Sequence, residues 1–282
     1  MGQCHAVLLA DRFVLRVAGE DARKFLQGLI TSDINALGES SAVHAGLLNP
    51  QGKILFDFFV VAADGAFLID IAKEKASELR QRLGFYRLRA AVEIAEEPAF
   101  KVAASWGDRP RIPGGAIAYA DPRLPELGFR VLLPSNADVA EFGCASASEG
   151  NYHALRIGLG VPEGGRDYAF GDTFPHEALF DQLGGVDFAK GCFIGQEVVS
   201  RMEHRGTARK RIVPVEGDGP LPAPGTSIEA GGVIIGTLGS VHGTSGLALI
   251  RLDRAGEALS RGALIQAAGA ALTLGRARWA HF

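Results

Sequence analysis

The sequence predicts an α+β protein ending in a small β-barrel, on three observations. Its first two-thirds repeats a strand, strand, helix, strand order with helices set apart from strands, which suits segregated α+β packing better than a doubly wound sheet. After about residue 205 the pattern changes to short, β-branched, glycine-punctuated strands. At 282 residues, two or three structural units are expected, because single cores stop growing near that size.

Residues 5–17 read as one strand, with Phe13, Leu15 and Val17 on one face and Arg12 and Arg16 on the other. In GEDARKFLQGLITSDI, Glu20 and Asp21 favour the first turn of a helix whose Ala22, Phe25, Leu26 and Leu29 form an apolar stripe. NPQG at 49–52 suits a type I turn and feeds KILFDFFVV, a strand apolar on both faces. KEKASELRQRL at 73–83 forms a helix with Ala76, Leu79 and Leu83 inward, stopped by Gly84, with strands FLIDI before it and RAAVEIA after it. SASEGNY at 146–152 is a candidate junction, and GDGPLPAPGT at 217–226 is a loop inside the terminal β-unit, where no long helix is expected.

Composition bounds function. Hydrophobic residues make up 47% and charged residues 22%, enough apolar material for a sizeable core. The net charge of −3 argues against bulk nucleic-acid binding, so no DNA partner is expected. No apolar run has membrane-spanning length, so no membrane partner is expected either, and Asp11 interrupts any secretory apolar stretch. An intracellular protein is expected, cytoplasmic or in the mitochondrial matrix; the start on a strand without an Arg/Ser-rich leader favours the former. Cys4, Cys144 and Cys192 are odd in number and far apart, so neither a disulfide framework nor a four-cysteine metal site is expected.

Two features carry chemistry. Asp57 sits on the same face of its strand as Leu55 and Phe59, and an acid there needs a partner: backbone, an arginine or a ligand amide. KGCFIGQEVVSR at 190–201 wraps one cysteine in two glycines ahead of a helix that starts near Gln196. Cys192 then lies just outside that helix, near Lys190, in a place that favours a thiolate. Glu197 and Arg201, four apart, form a helical ion pair or polar ligand contacts. RMEHRGTARKR at 201–211 sets five basic residues against Glu203, a solvated face or a collar for an anionic tail. His44, His153, His176 and His204 lack metal-ligand spacing.

These stretches together resemble the YgfZ-type folate-binding proteins, relatives of the glycine cleavage T-protein (aminomethyltransferase) associated with iron-sulfur cluster assembly and repair. The residues that carry the likeness are KGCFIGQE with Arg201, GEDARKFLQGLITSDI, LNPQGKILFDFFV, YRLRAAVEI and LRIGLGVPE with FPHEALFD. The resemblance implies two mixed α/β lobes, residues 1–48 with 146–205 and residues 49–145, and a C-terminal β-barrel over 206–282, in a ring-like, three-lobed arrangement. It implies tetrahydrofolate or a one-carbon derivative as cofactor, with Asp57 and Glu177 as carboxylates for the pterin and Lys190, Gln196, Glu197 and Arg201 as further polar contacts. It makes Cys192 the functional thiol, and iron-sulfur client or assembly proteins the partners. T-proteins have two adjacent carboxylates where this chain has Phe56 then Asp57, and they lack the cysteine. Both departures favour an assembly factor over an aminomethyltransferase, the rival reading.

Overall fold

A computed structural model describes residues 3–35, 37–206 and 208–282. Thr207, inside the basic run, lies outside the described residues, as do Met1 and Gly2. The chain is α+β with a closed C-terminal β-barrel, as expected from the strand and helix pattern. It divides into two compact units: Met1–Leu48, Leu55–Tyr152 and Leu183–Gln196 form one, and Asn49–Ile54, His153–Gln182 and Glu197–Phe282 form the other.

The first unit carries β1 (His5–Leu8), β2 (Arg12–Ala18), α1 (Ala22–Gln27), β3 (Ala42–Leu48), β4 (Ile54–Ala63), β5 (Ala66–Ala72) and α2 (Lys73–Arg87). Next come β6 (Glu93–Glu96), β7 (Phe100–Trp106), β8 (Ile117–Ala120), β9 (Phe129–Pro134) and β10 (Ala145–Ser146). One five-stranded sheet has the order β3-β4-β5-β2-β6 and the other β10-β1-β7-β9-β8. Both contribute to one buried layer, with Val14, Phe59, Val61 and Leu68 from the first and Val7, Val102, Ala104 and Leu132 from the second. Leu15, Val17, Phe56, Phe58 and Val60 face the opposite way and pack with Phe25 and Leu26 of α1 and Leu79 and Leu83 of α2. β4 is therefore buried on both faces, which is why it reads as a continuous apolar run.

Three expectations change here. Residues 5–17 form two strands, because the chain turns at Ala10 and Asp11 and passes from one sheet to the other. No glycine or proline marks that turn, so alternation alone runs straight through it. The helix at 73 continues past Gly84 to Arg87, since a helical glycine lowers stability without breaking the ladder; Leu88, at φ +46°, ends it. Cys4 and Cys144 form a disulfide across 140 residues, contrary to the expectation of none. Parallel pairing of β1 with β10, His5 opposite Ala145, sets the two cysteines side by side with Cα atoms 4.7 Å apart.

Two helices bridge the division of the chain: α3 (Glu149–Gly158) and α4 (Gln196–Arg205). The second unit then holds β11 (Lys210–Gly217), β12 (Ser227–Ala230), β13 (Val233–His242), β14 (Ser245–Arg251), α5 (Leu252–Ser260), β15 (Ile265–Ala267) and β16 (Ala270–Leu274). The six strands close as β11-β14-β13-β12-β15-β16 around Val213, Val215, Ile228, Leu238, Ala248 and Ile250. The helix α5 was not expected; its Ala255 and Ala258 join Leu252 at helical spacing against the barrel core. Beside the barrel, buried Arg156 donates to Asp167 at 2.7 Å and to Ser240 Oγ at 2.6 Å, while the Ser240 N–H donates to Asp167 at 2.7 Å. Gly239 is required there, because a β-carbon on it would sit 2.6 Å from Asp167 Oδ1.

Candidate functional site

Two motifs of the sequence, GEDARKFLQGLITSDI and KGCFIGQE as far as Gln196, meet in the first unit. After α1 the chain runs GLITSDI, and this stretch holds the segment leading into KGCFIGQE. Thr31 Oγ1 donates to the Gly185 carbonyl at 2.5 Å and accepts from the Gly46 N–H at 2.7 Å. The Asp187 N–H donates to the Thr31 carbonyl at 2.9 Å, and the Asp187 carboxylate accepts from the Ala189 N–H at 2.7 Å. Lys190 then donates through Nζ to the carbonyls of Gln27 at 2.8 Å and Ile30 at 2.5 Å. Those carbonyls end α1 and its following turn, where a helix leaves acceptors without partners.

Gly191 adopts φ +95° and Gly195 φ +80°, so the two glycines of the motif both occupy left-handed backbone that L side chains avoid. Between them Phe193 is buried and Ile194 packs against the α1–α2 core, whereas Cys192 is exposed. The loop is thus fastened on one side by Lys190 and on the other by Phe193 and Ile194, and the thiol projects from its middle. Cys192 is the free cysteine; the other two are bonded to each other. The Gln196 N–H donates to the Phe193 carbonyl at 3.2 Å as α4 begins.

Burial pulls the Lys190 pKa down to about 8, against Asp33 and Asp187, which raise it. Lys190 is therefore a half-buried tether for the loop. A neighbouring amide stands out: Gln27 Oε1 accepts from the Ile34 N–H at 3.0 Å, while its Nε2 is buried with no hydrogen-bond partner among the described residues. Asp57 is half-buried on β4, on the face that carries Phe59 and Val61 into the layer between the sheets.

The remaining expected residues belong to the second unit. Glu177 is buried; its carboxylate accepts from the Phe174 N–H at 2.9 Å and its carbonyl from the Ile212 N–H at 3.0 Å, so it shapes the TFPHE turn. Glu197 and Arg201 form an exposed pair at 2.5 Å on α4. At the end of the basic run, Arg211 is buried and donates to Asp181 at 2.8 Å and to the His176 carbonyl at 3.0 Å, so it belongs to the interior rather than to a collar. His176, Asp181 and Glu203 place ligand-type atoms within 4.8 Å of one another. The Arg211 guanidinium already supplies positive charge to Asp181, and His176 Nε2 lies within hydrogen-bond distance of Glu203 at 2.9 Å, so all three side chains are engaged within the protein.

Sequence reading missed a buried polar network between the two sheets of the first unit. Asp70 accepts from Arg12 Nε at 2.7 Å, Arg130 Nε at 2.8 Å and the Tyr119 hydroxyl at 3.1 Å. Arg123 holds Asp121 at 2.7 Å and the Tyr152 hydroxyl at 3.0 Å, and the guanidiniums of Arg12, Arg123 and Arg130 surround the Phe59 ring. Burial raises the Asp70 pKa, but Arg12 and Arg130 outweigh it and leave the carboxyl below its ordinary value. His44, beside Phe59, is driven down to about 3 by burial first and by Arg123 next. The signal that singles out Asp57, an acid inside an apolar strand, also finds Asp70 in FLIDI.

The family model of the CAF17 C-terminal β-barrel domain matches residues 209–282. The chain is 33% identical over 244 residues to the mitochondrial iron-sulfur cluster assembly factor IBA57 homolog of Neurospora crassa, covering 77% of this chain and 56% of that one. It is 33% identical over 270 residues to human mitochondrial IBA57, covering 86% of this chain and 76% of that one. The chain thus spans little more than half of the fungal relative and three-quarters of the human one. In fold it is similar to the glycine cleavage system aminomethyltransferase T of Bartonella henselae, with a TM-score of 0.78, 15% identity, 99% of this chain covered and 86% of that one. With a third of its residues identical over most of both chains in the human comparison, the chain belongs to the family of the iron-sulfur cluster assembly factor IBA57.

Proposed function

We propose that the protein is a tetrahydrofolate-binding accessory factor for assembly or repair of iron-sulfur proteins, with Cys192 as its working thiol. The observation that carries this reading is the presentation of Cys192: a free, exposed cysteine on a loop tied down at both ends and kinked by two left-handed glycines. A thiol that only filled space would be buried. Iron-sulfur client or assembly proteins are the partners on this reading, in line with the relatives' name as iron-sulfur cluster assembly factors.

Groups of the kinds a folate asks for support this reading within the first unit. Asp57 offers a carboxylate to the pterin's N–H groups, the unpartnered Gln27 Nε2 and the Gln196 amide offer donors to its carbonyl, and Lys190 offers positive charge. Glu177, Glu197 and Arg201 carry the same kinds of groups in the second unit and belong to the proposal. When bound, tetrahydrofolate supplies a reduced pterin able to carry a one-carbon unit. The protein's own residues orient it and keep Cys192 accessible.

Calorimetric titration with tetrahydrofolate tests the cofactor half. Saturable binding is expected, weakened roughly tenfold or more by Asp57→Ala, as suits the loss of a charge-assisted hydrogen bond. No saturable heat with the folded protein would refute folate binding. The transferase reading rests on the fold alone; formation of methylene-tetrahydrofolate from an aminomethyl donor would favour it instead.

A further inference from the structure

Helix α2 contains a glycine at an interior position, Gly84, although glycine destabilises a helix relative to alanine. Nothing in the fold asks for it: its backbone is helical, and a β-carbon built there would meet no atom within 4 Å. The space it leaves belongs to a cavity of about 500 Å³ lined by Ser77, Arg80, Gln81, Gly84, Arg87 and Ile94. The helical members recur at spacings of three and four, so they form one stripe along α2.

The surroundings are one-sided in charge. Arg80, Arg82, Arg87 and Arg89 stand here with no acidic residue from Leu79 to Val92; of the two acids that border the stretch, Glu78 is paired with Lys75 at 2.9 Å, which leaves Glu93 against four arginines in a chain whose net charge is −3. Among the described residues Arg80, Arg82 and Arg89 have no ion-pair partner, and Arg87 reaches only the Val92 carbonyl, at 3.5 Å. Phe85 is 68% exposed and Leu88 87% exposed, the latter at φ +46°, a backbone conformation that costs a leucine energy. The open helical glycine and the leucine at positive φ each cost stability, and the unpaired arginines and outward apolar side chains add little to it. Their coincidence at one place marks a surface shaped for something outside the fold.

We infer that this face of α2 is a docking site for an acidic segment of a partner protein that carries apolar side chains. Its carboxylates pair with the guanidiniums of Arg80 and Arg87, a geometry suited to forked hydrogen bonds. One of its apolar side chains enters the cavity above Gly84, flanked by Phe85 and Leu88. A hollow floored by glycine suits a side chain. Single-stranded RNA would ask for several exposed aromatic platforms, and an anionic membrane for a protruding rather than a hollow surface.

The test is selection from a random peptide library on the whole protein, followed by fluorescence anisotropy with the enriched peptides. The inference expects enriched peptides that combine Asp or Glu with Leu, Phe or Met, and binding at least about tenfold weaker to Gly84→Leu and to Arg80→Glu/Arg87→Glu. Gly84→Leu fills the cavity with no backbone strain, so its melting temperature should equal or exceed the wild type's; if it fails to fold, the charge variant decides. Enriched peptides without acids, or acidic peptides indifferent to the variants, overturn the inference. So does binding of single-stranded RNA or anionic phospholipid vesicles that these substitutions abolish while no peptide binds.

Discussion

His44 and Lys190 show how one unit turns burial into two different uses of a basic side chain. Lys190 stays half-open and uses its ammonium on two carbonyls, which fixes the loop that presents Cys192. His44 is sealed beside Phe59 and Arg123 and is held neutral, its pKa pushed down to about 3. An unfolded chain protonates this histidine near 6.5, so between there and about 3 the unfolded state binds the extra proton. Stability from His44 is therefore fully present above about pH 6.5 and is lost as pH falls below it, at up to ~1.4 kcal/mol per pH unit. Urea midpoints at pH 7.5 and 5 should fall more steeply for the wild type than for His44→Gln. Equal slopes would mean that another group governs the acid side. The histidine's burial is not legible in the sequence, because AVHAGLL places it on a strand without saying which layer lies above it.

At the scale of elements, the two sheets of the first unit are joined by a polar network inside an apolar layer. Asp70 on β5 binds Arg12 on β2, Arg130 on β9 and Tyr119 on β8, so one carboxylate spans both sheets. Asp70→Asn keeps the shape but leaves two buried guanidiniums short of countercharge, which should destabilise the protein by about 3–5 kcal/mol. Denaturant unfolding of the variant checks this; a loss below about 1 kcal/mol would show that the arginines find other partners. The strands and the inward faces of α1 and α2 were legible because apolar spacing reports them directly: Phe25, Leu26, Ala76, Leu79 and Leu83 are all buried. The turn at Ala10 and Asp11, the passage of α2 through Gly84 and the helix α5 were not. The turn and α5 depend on contacts distant in sequence, which override a local signal, whereas α2 passes Gly84 because a glycine weakens a helix without stopping it.

For the whole molecule, the same distance effect hid the Cys4–Cys144 link, since only the parallel β1–β10 pairing reveals it. It was the KGCFIGQE motif that made the candidate site visible from the sequence, because paired glycines around a cysteine report backbone shape. What the motif left out is its support, the Thr31 and Lys190 contacts that join it to GLITSDI. Membership of the IBA57 family agrees with an iron-sulfur role and makes the presentation of Cys192 the central claim. The most direct measurement is the activity of iron-sulfur enzymes in cells whose own copy of this protein is replaced by Cys192→Ser, with folding checked by thermal melting. The account predicts an unchanged melting temperature and enzyme activities reduced to those of cells lacking the protein. Full activity with Cys192→Ser would contradict it.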